Sequence, residues 1–284
     1  MNPYSKFVSQ IAQINRDAKA LPLGGFPPLP RVSAHDGAPC ALFFAPHPDD
    51  ETIAGGLALR LQREAGWRIV NVAVTQGSKK ERQAGRLEEL KAACDFINFE
   101  LVQTAPNGLE KVTPKTRDQD KAHWDSMVQV IAGILSKHQP KVIFFPHEHD
   151  WNGTHIGVHF LLLDALKTLP GFSCFVVETE FWGQMQSPNL MVEYDADDVT
   201  ALVTATSFHV GEVQRNPYHL LIPAWMMDNV RRGAELVGGQ GGEAPDYTFG
   251  QLFRLRRWKD GQLQNVYAGG RNLSKTSNSA SLFD

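Results

Sequence analysis

Cysteine is scarce in this sequence: Cys40, Cys94 and Cys174 are the three in 284 residues, and no two form a CxxC pair. That excludes a disulfide-stapled scaffold, and the sparse odd set reads as reduced thiols of a cytoplasmic protein. Neither sign of charge is in excess: 28 Lys and Arg face 31 Asp and Glu, for a net charge of −3. Such a balance gives no electrostatic footprint for nucleic acid or an anionic membrane. No apolar run approaches the roughly 20 residues of a membrane helix. The opening stretch MNPYSKFVSQIAQINRDAKALP is mixed polar and does not read as a secretory signal. No GxGxxG opens a βα turn, which argues against a dinucleotide-binding oxidoreductase, and HEH at 147–149 is spaced too tightly for the HExxH of zincins.

The apolar runs that exist are short and alternate with amphipathic stretches. Residues 4–19 carry Phe7, Ile11 and Ile14 at helical spacing, and LPLGGFPPLP at 21–30 stops that helix because proline and glycine cannot continue it. Residues 1–38 are therefore expected as an N-terminal extension lying on a single domain that spans 39–284. Strands are predicted at 41–46, 67–77, 100–104, 140–147 and 173–182, and helices at 51–66, 79–97, 118–138 and 154–169. Strand and helix in alternation build a Rossmann-like three-layer α/β sandwich with a mostly parallel central sheet. A less regular C-terminal portion follows, with LMVEYDA as a strand, helices at 197–210 and 223–237, a loop at 238–243 and a last strand at 247–258.

The chemistry concentrates where two strands end. CALFFA runs directly into APHPDDE, so His47, Asp49, Asp50 and Glu51 arrive at the tip of an uncharged strand. Clustering acids there is costly unless a cation neutralises them. Strand 140–147 runs likewise into HEHDWNGTH, and ligands of open α/β sheets sit beyond the carboxyl ends of strands. His47 and Asp50, in a turn stiffened by Pro48, can face one point while Asp49 projects beside it. Two imidazoles and one carboxylate around an open position describe a catalytic zinc site, and an unligated Asp49 suits a general base. Glu51 reads as a charge at a helix start or as half of a buried ion pair.

PHPDDE at 46–51 resembles the signature of the LmbE / PIG-L family of metal-dependent N-deacetylases. VTQG at 74–77, RLEELKAACDFI at 86–97, NGTHIGVH at 152–159 and ALVTATSFHVGE at 201–212 resemble further motifs of that family in the same order. The resemblance implies a divalent metal ion, zinc first, held by His47, Asp50 and His155. It also implies Asp49 as general base in hydrolysis of the N-acetyl amide of an amino sugar or its conjugate. His159 and His149 compete with His155 as third ligand. Arg86, Asp150, Trp151 and His209 are expected to face substrate; Trp124, Trp182 and Trp225 share the capacity to stack on a sugar ring. His35, His123, His138 and His219 are expected on the surface or in loops.

Two positions depart from the family's His-x-Asp-His around the third ligand, which reads Asn152, Gly153, Thr154, His155 here. An amide NH₂ also donates to an oxyanion, so Asn152 is expected in that role and Thr154 as N-cap of the following helix. Two other readings keep the metal loop: an amidase acting on a larger acyl-amine conjugate, and a carbohydrate-binding protein without turnover. Retention of Asp49, which the metal does not need, weighs against the second. The expected partner is a small N-acetylated sugar, with no nucleic acid and no membrane segment, and self-association into a homo-oligomer is left open.

Overall fold

Uncharged runs such as CALFFA and VIFFP fold as strands buried on both faces in the computed structural model, which describes residues 2–32 and 37–284. The chain opens with α1 (Pro3–Asp17) and then β1 (Cys40–Ala45), α2 (Asp50–Ile53), α3 (Gly56–Ala65), β2 (Arg68–Ala73), α4 (Lys80–Ile97) and β3 (Glu100–Gln103). It continues with α5 (Pro114–Gln119), α6 (Lys121–His138), β4 (Val142–Pro146), α7 (Gly153–Lys167), β5 (Cys174–Thr179) and β6 (Leu190–Tyr194). The last elements are α8 (Ala196–Ser207), α9 (Val210–Val213), α10 (Tyr218–Leu236), β7 (Phe249–Lys259), β8 (Gln262–Asn265) and β9 (Arg271–Leu273).

The sheet runs β3-β2-β1-β4-β5-β7-β6-β9, with β8 paired to β7. From β3 to β5 every pairing is parallel, and β7 is antiparallel to both β5 and β6. This is the mixed α/β, mostly parallel architecture expected. Helices cover both faces, so strand side chains divide between two cores. Phe43 and Phe144 stack at 5.7 Å on one side, and Phe44 and Phe145 bury on the other. Each such ring contributes about 1.5–3 kcal/mol by leaving water.

Several expectations need correction. The helix expected over 51–66 is two helices that meet at Gly55, where a Cβ would stand 2.0 Å from the Glu51 carbonyl oxygen, a closeness that glycine alone permits. The helix at 118–138 is preceded by α5, and Asp120, accepting the His123 N–H, caps α6 between them. In the stretch before β1, the Leu29 N–H bonds the Phe96 carbonyl and its side chain packs on the core. Phe7, Ile11 and Ile14 of the amphipathic α1 are exposed, and among the described residues none of its side chains is buried. The strands β8 and β9 lie in polar segments, QLQN and RNL, that carry no alternation. His219 is buried on α10, not at the surface, and His35 lies outside the described residues. The cysteines are free and buried. Among the described residues no helix is long and apolar enough to cross a membrane.

Candidate active site

Strands β1 and β4 lie side by side and parallel, Ala41–Phe43 against Val142–Phe144, so the two polar clusters leave the sheet at one rim. At the end of β1, Asp49 takes φ 116°, left-handed backbone that non-glycine residues rarely enter. The turn is held by its own acids. Asp50 Oδ2 accepts the His47 N–H at 2.9 Å, and Glu51 Oε2 accepts the Asp49 N–H at 3.0 Å.

His155 enters from the first turn of α7. Its Nε2 lies 3.3 Å from Asp50 Oδ2, and His47 Nδ1 lies 3.5 Å from the same oxygen. One donor atom from each of His47, Asp50 and His155 lies within 4.8 Å of the others. His155 Nε2 is buried and has no hydrogen-bond partner among the described residues. A buried nitrogen without a partner calls for an explanation, and a coordinated cation supplies one. Two imidazoles and a carboxylate are also a donor set that divalent ions take with positions left open. The residues present therefore fit a divalent metal.

Protonation follows this packing. Burial alone would lower His155, but the charge of Asp50 and contacts to Asp150 outweigh it and hold the ring at about 10. Burial would raise Asp50, yet His155 and His47 hold its carboxyl far below the usual range. Burial lowers His47. Asp49 moves the opposite way from Asp50, since burial and then the neighbouring Asp50 charge raise it well above its ordinary value.

The other expected site residues divide. Arg86 Nη2 donates to the Pro48 carbonyl at 2.9 Å and stands 3.9 Å from Asp49 Oδ2, so it borders the centre. Asp150 is 2% exposed and is turned inward, not toward open space: Oδ2 lies 3.6 Å from His155 Nδ1 and Oδ1 accepts the Asn152 N–H. Asn152, not Thr154, is the N-cap of α7, its Oδ1 accepting the Thr154 N–H at 2.9 Å. Trp151 is 71% exposed and meets Trp182 edge-on at 6.1 Å. Trp124 belongs to the core. His209 does not face open space either; it is fully buried and its Nε2 donates to Glu51 Oε1 at 2.8 Å. Burial pulls His209 down, but the Glu51 carboxylate outweighs it and the net shift is upward.

Residues 42–166 match the model of the PIG-L family, described as GlcNAc-PI de-N-acetylase. Over residues 42–166 the chain carries a PIG-L domain. That domain is a deacetylase hydrolase module. No curated relative matches the chain. Among solved structures, the N,N'-diacetylchitobiose deacetylase of Pyrococcus horikoshii is 16% identical with TM-score 0.56, covering 88% of this chain and 92% of its own. A zinc-inhibited form of teicoplanin deacetylase is 14% identical with TM-score 0.55, covering 78% and 98%. The 4-carboxy-2-hydroxymuconate hydratase of Pseudomonas putida is 15% identical with TM-score 0.54, covering 76% and 95%. These three share the fold with the PIG-L domain, and a fold does not dictate a reaction.

Two rivals for the third ligand stand outside the PIG-L domain's histidine–aspartate cluster. His149 is exposed. His159 belongs to a separate group with Glu148 and Glu178, whose donor atoms also lie within 4.8 Å of one another. There Arg254 contacts both carboxylates and Arg256 contacts Glu178, so guanidinium groups already occupy the acids. His147 is spent on the backbone, bonding the Gly183 carbonyl and the His149 N–H. Sequence reasoning missed Glu212, which gathers Arg82, Arg86 and Arg215 beside the centre. It also missed Tyr218, which packs on Phe181 and Trp182. Neither stands in a polar cluster at a strand end, the signal that exposed the others.

Proposed function

We propose that this protein is a metal-dependent N-deacetylase that hydrolyses the N-acetyl amide of an amino sugar or its conjugate to acetate and a free amine. The observation that carries the reading is the convergence of His47, Asp50 and His155 from two strand ends, with a buried Asp49 beside them and outside that donor set. In this reading those three residues hold the cation, and Asp150 fixes the His155 ring through Nδ1. A divalent cation, zinc by its donor set, supplies Lewis acidity toward water and the amide carbonyl.

The chain's own groups then handle protons and position. Asp49 takes a proton from the attacking water and returns it to the nitrogen of the leaving amine. Its raised basicity suits that task, since a stronger base abstracts more readily near neutral pH. Glu51 fixes the Asp49 backbone from one side and Arg86 flanks its carboxylate from the other. Asn152 spends Oδ1 on the helix cap, which leaves its NH₂ to donate to the developing oxyanion. Trp151 and Trp182 offer an aromatic face for the sugar or its aglycone. We read 39–284 as one domain acting together, because β7 from the C-terminal portion sits between β5 and β6.

The test is a panel of N-acetylated sugars assayed for free amine, with zinc restored after chelation. Metal-dependent release from at least one of them is expected. Absence of release from every member would overturn the reading.

A further inference from the structure

His47 also borders a recess of about 160 Å³ beside the loop that follows β2. Lys79, Arg82, Arg86 and Arg215 line it, and among its described lining residues Glu212 is the single carboxylate. The whole chain carries a net charge of −3, so this is a local reversal of sign. Glu212 is shared threefold: Arg82 Nη2 lies at 2.5 Å, Arg86 Nε at 3.6 Å, and Arg215 Nη2 in direct contact. Arg86 Nη2 also stands 3.9 Å from Asp49 Oδ2, so two carboxylates meet three guanidinium groups and Lys79, which has no ion-pair partner among the described residues, and cationic charge is left unspent. Glu89, farther along the same helix, is engaged with the Gly211 N–H at 2.8 Å.

The backbone adds to that field. The helix α4 runs for 18 residues from Lys80, and its N-cap Lys79 provides no side-chain acceptor. The start of the helix borders the recess through Lys79 and Arg82, and its first turn, which holds the acid Glu81, has no side-chain cap on its N–H groups. Gly77, at φ +82°, makes the floor: a Cβ there would stand 2.4 Å from Arg86 Nη1. Glycine lets the loop close over the arginine. Forked guanidinium groups with free N–H donors match the oxygens of phosphate or carboxylate. The volume is several times the roughly 30 Å³ share of one water, enough for one small oxyanion.

We propose that this recess receives an anionic group of the substrate, a phosphate or a carboxylate, placed next to the amide that His47 borders. The proposal deepens the deacetylase reading and rests on it for what brings the anion in. Its test has a readout independent of turnover. The metal-loaded protein is titrated by calorimetry with inorganic phosphate and, separately, with malonate. Binding of at least one is expected, phosphate alone pointing to a phosphate ester and malonate alone to a carboxylate. Arg215→Gln and Lys79→Gln each weaken that binding about fivefold, the scale of one charge contact near water. Glu212→Gln strengthens it, since the competing carboxylate is neutralised; a merely damaged structure would weaken it instead. A second arm compares kcat/KM for N-acetylglucosamine 1-phosphate with that for N-acetylglucosamine, and Arg215→Gln lowers the ratio about fivefold. Failure of both anions to bind the wild type, or binding unchanged in all three variants, overturns the recess. Intact anion binding with no amine released from any member of the sugar panel overturns the deacetylase reading and leaves the recess standing.

Discussion

Glu51 and His209 stand 158 positions apart in the chain and meet at 2.8 Å inside the core, with the other Glu51 oxygen bonded to the Asp49 backbone. The pair ties the end of α8 to the turn that presents Asp49 and Asp50. A buried charge that loses its partner is costly, about 3–5 kcal/mol. His209→Ala should lower unfolding free energy by that order in urea titrations, and a wild-type midpoint in the variant would remove the pair from the fold's energetics. Because the folded pKa of His209 is raised, its contribution is complete below the unfolded value near 6.5 and declines as pH rises through the folded value.

Asp49→Asn removes the proposed base and none of the three proposed donors. Metal content by elemental analysis should stay near one ion per chain, while kcat should fall by about 10²–10⁴. Near-wild-type turnover would take Asp49 out of the proton pathway.

His155→Ala should release the ion on dialysis, and His159→Ala should retain it. The difference follows from their surroundings: His155 shares Asp50 with His47, whereas His159 Nδ1 contacts the Pro146 carbonyl and lies 3.5 Å from an acid already held by arginines. Loss of metal from the His159 variant alone would reverse the assignment.

Burial would raise Glu148, but a backbone N–H and Arg254 outweigh it and hold its carboxyl at about 2. A depressed carboxyl stabilises the fold above its unfolded value, about 4.3, and that contribution is lost as pH falls toward 2. Acid titration followed by circular dichroism should show a shallower loss over that interval in Glu148→Gln than in the wild type. Identical profiles would mean that the Arg254 contact is not felt in stability.

The parallel half of the sheet was legible because its strands are apolar runs that stop at polar clusters, as β1 does at His47 and β4 at His147. His47 and Asp50 were legible for the same reason, and His155 followed from the motif. What pairs across long separations was not. Nothing local to Glu51 names His209, and nothing local to Arg86 names Glu212. The break at Gly55 was hidden because glycine there answers to a backbone approach, not to periodicity. The sites of Asp150 and His209 show the same limit: their polarity was visible, and its inward direction was set by packing.

The position of β7 between β5 and β6 has a bearing on how the molecule is born. A nascent chain emerging from the ribosome has β6 in hand well before the strand that joins it to its neighbours. Until Phe249–Lys259 has been synthesised, the edge of β5 stays open to solvent and to other chains. Assembly of the sheet thus waits on the carboxyl-terminal segment, and stalling before that point would leave an edge prone to sticking.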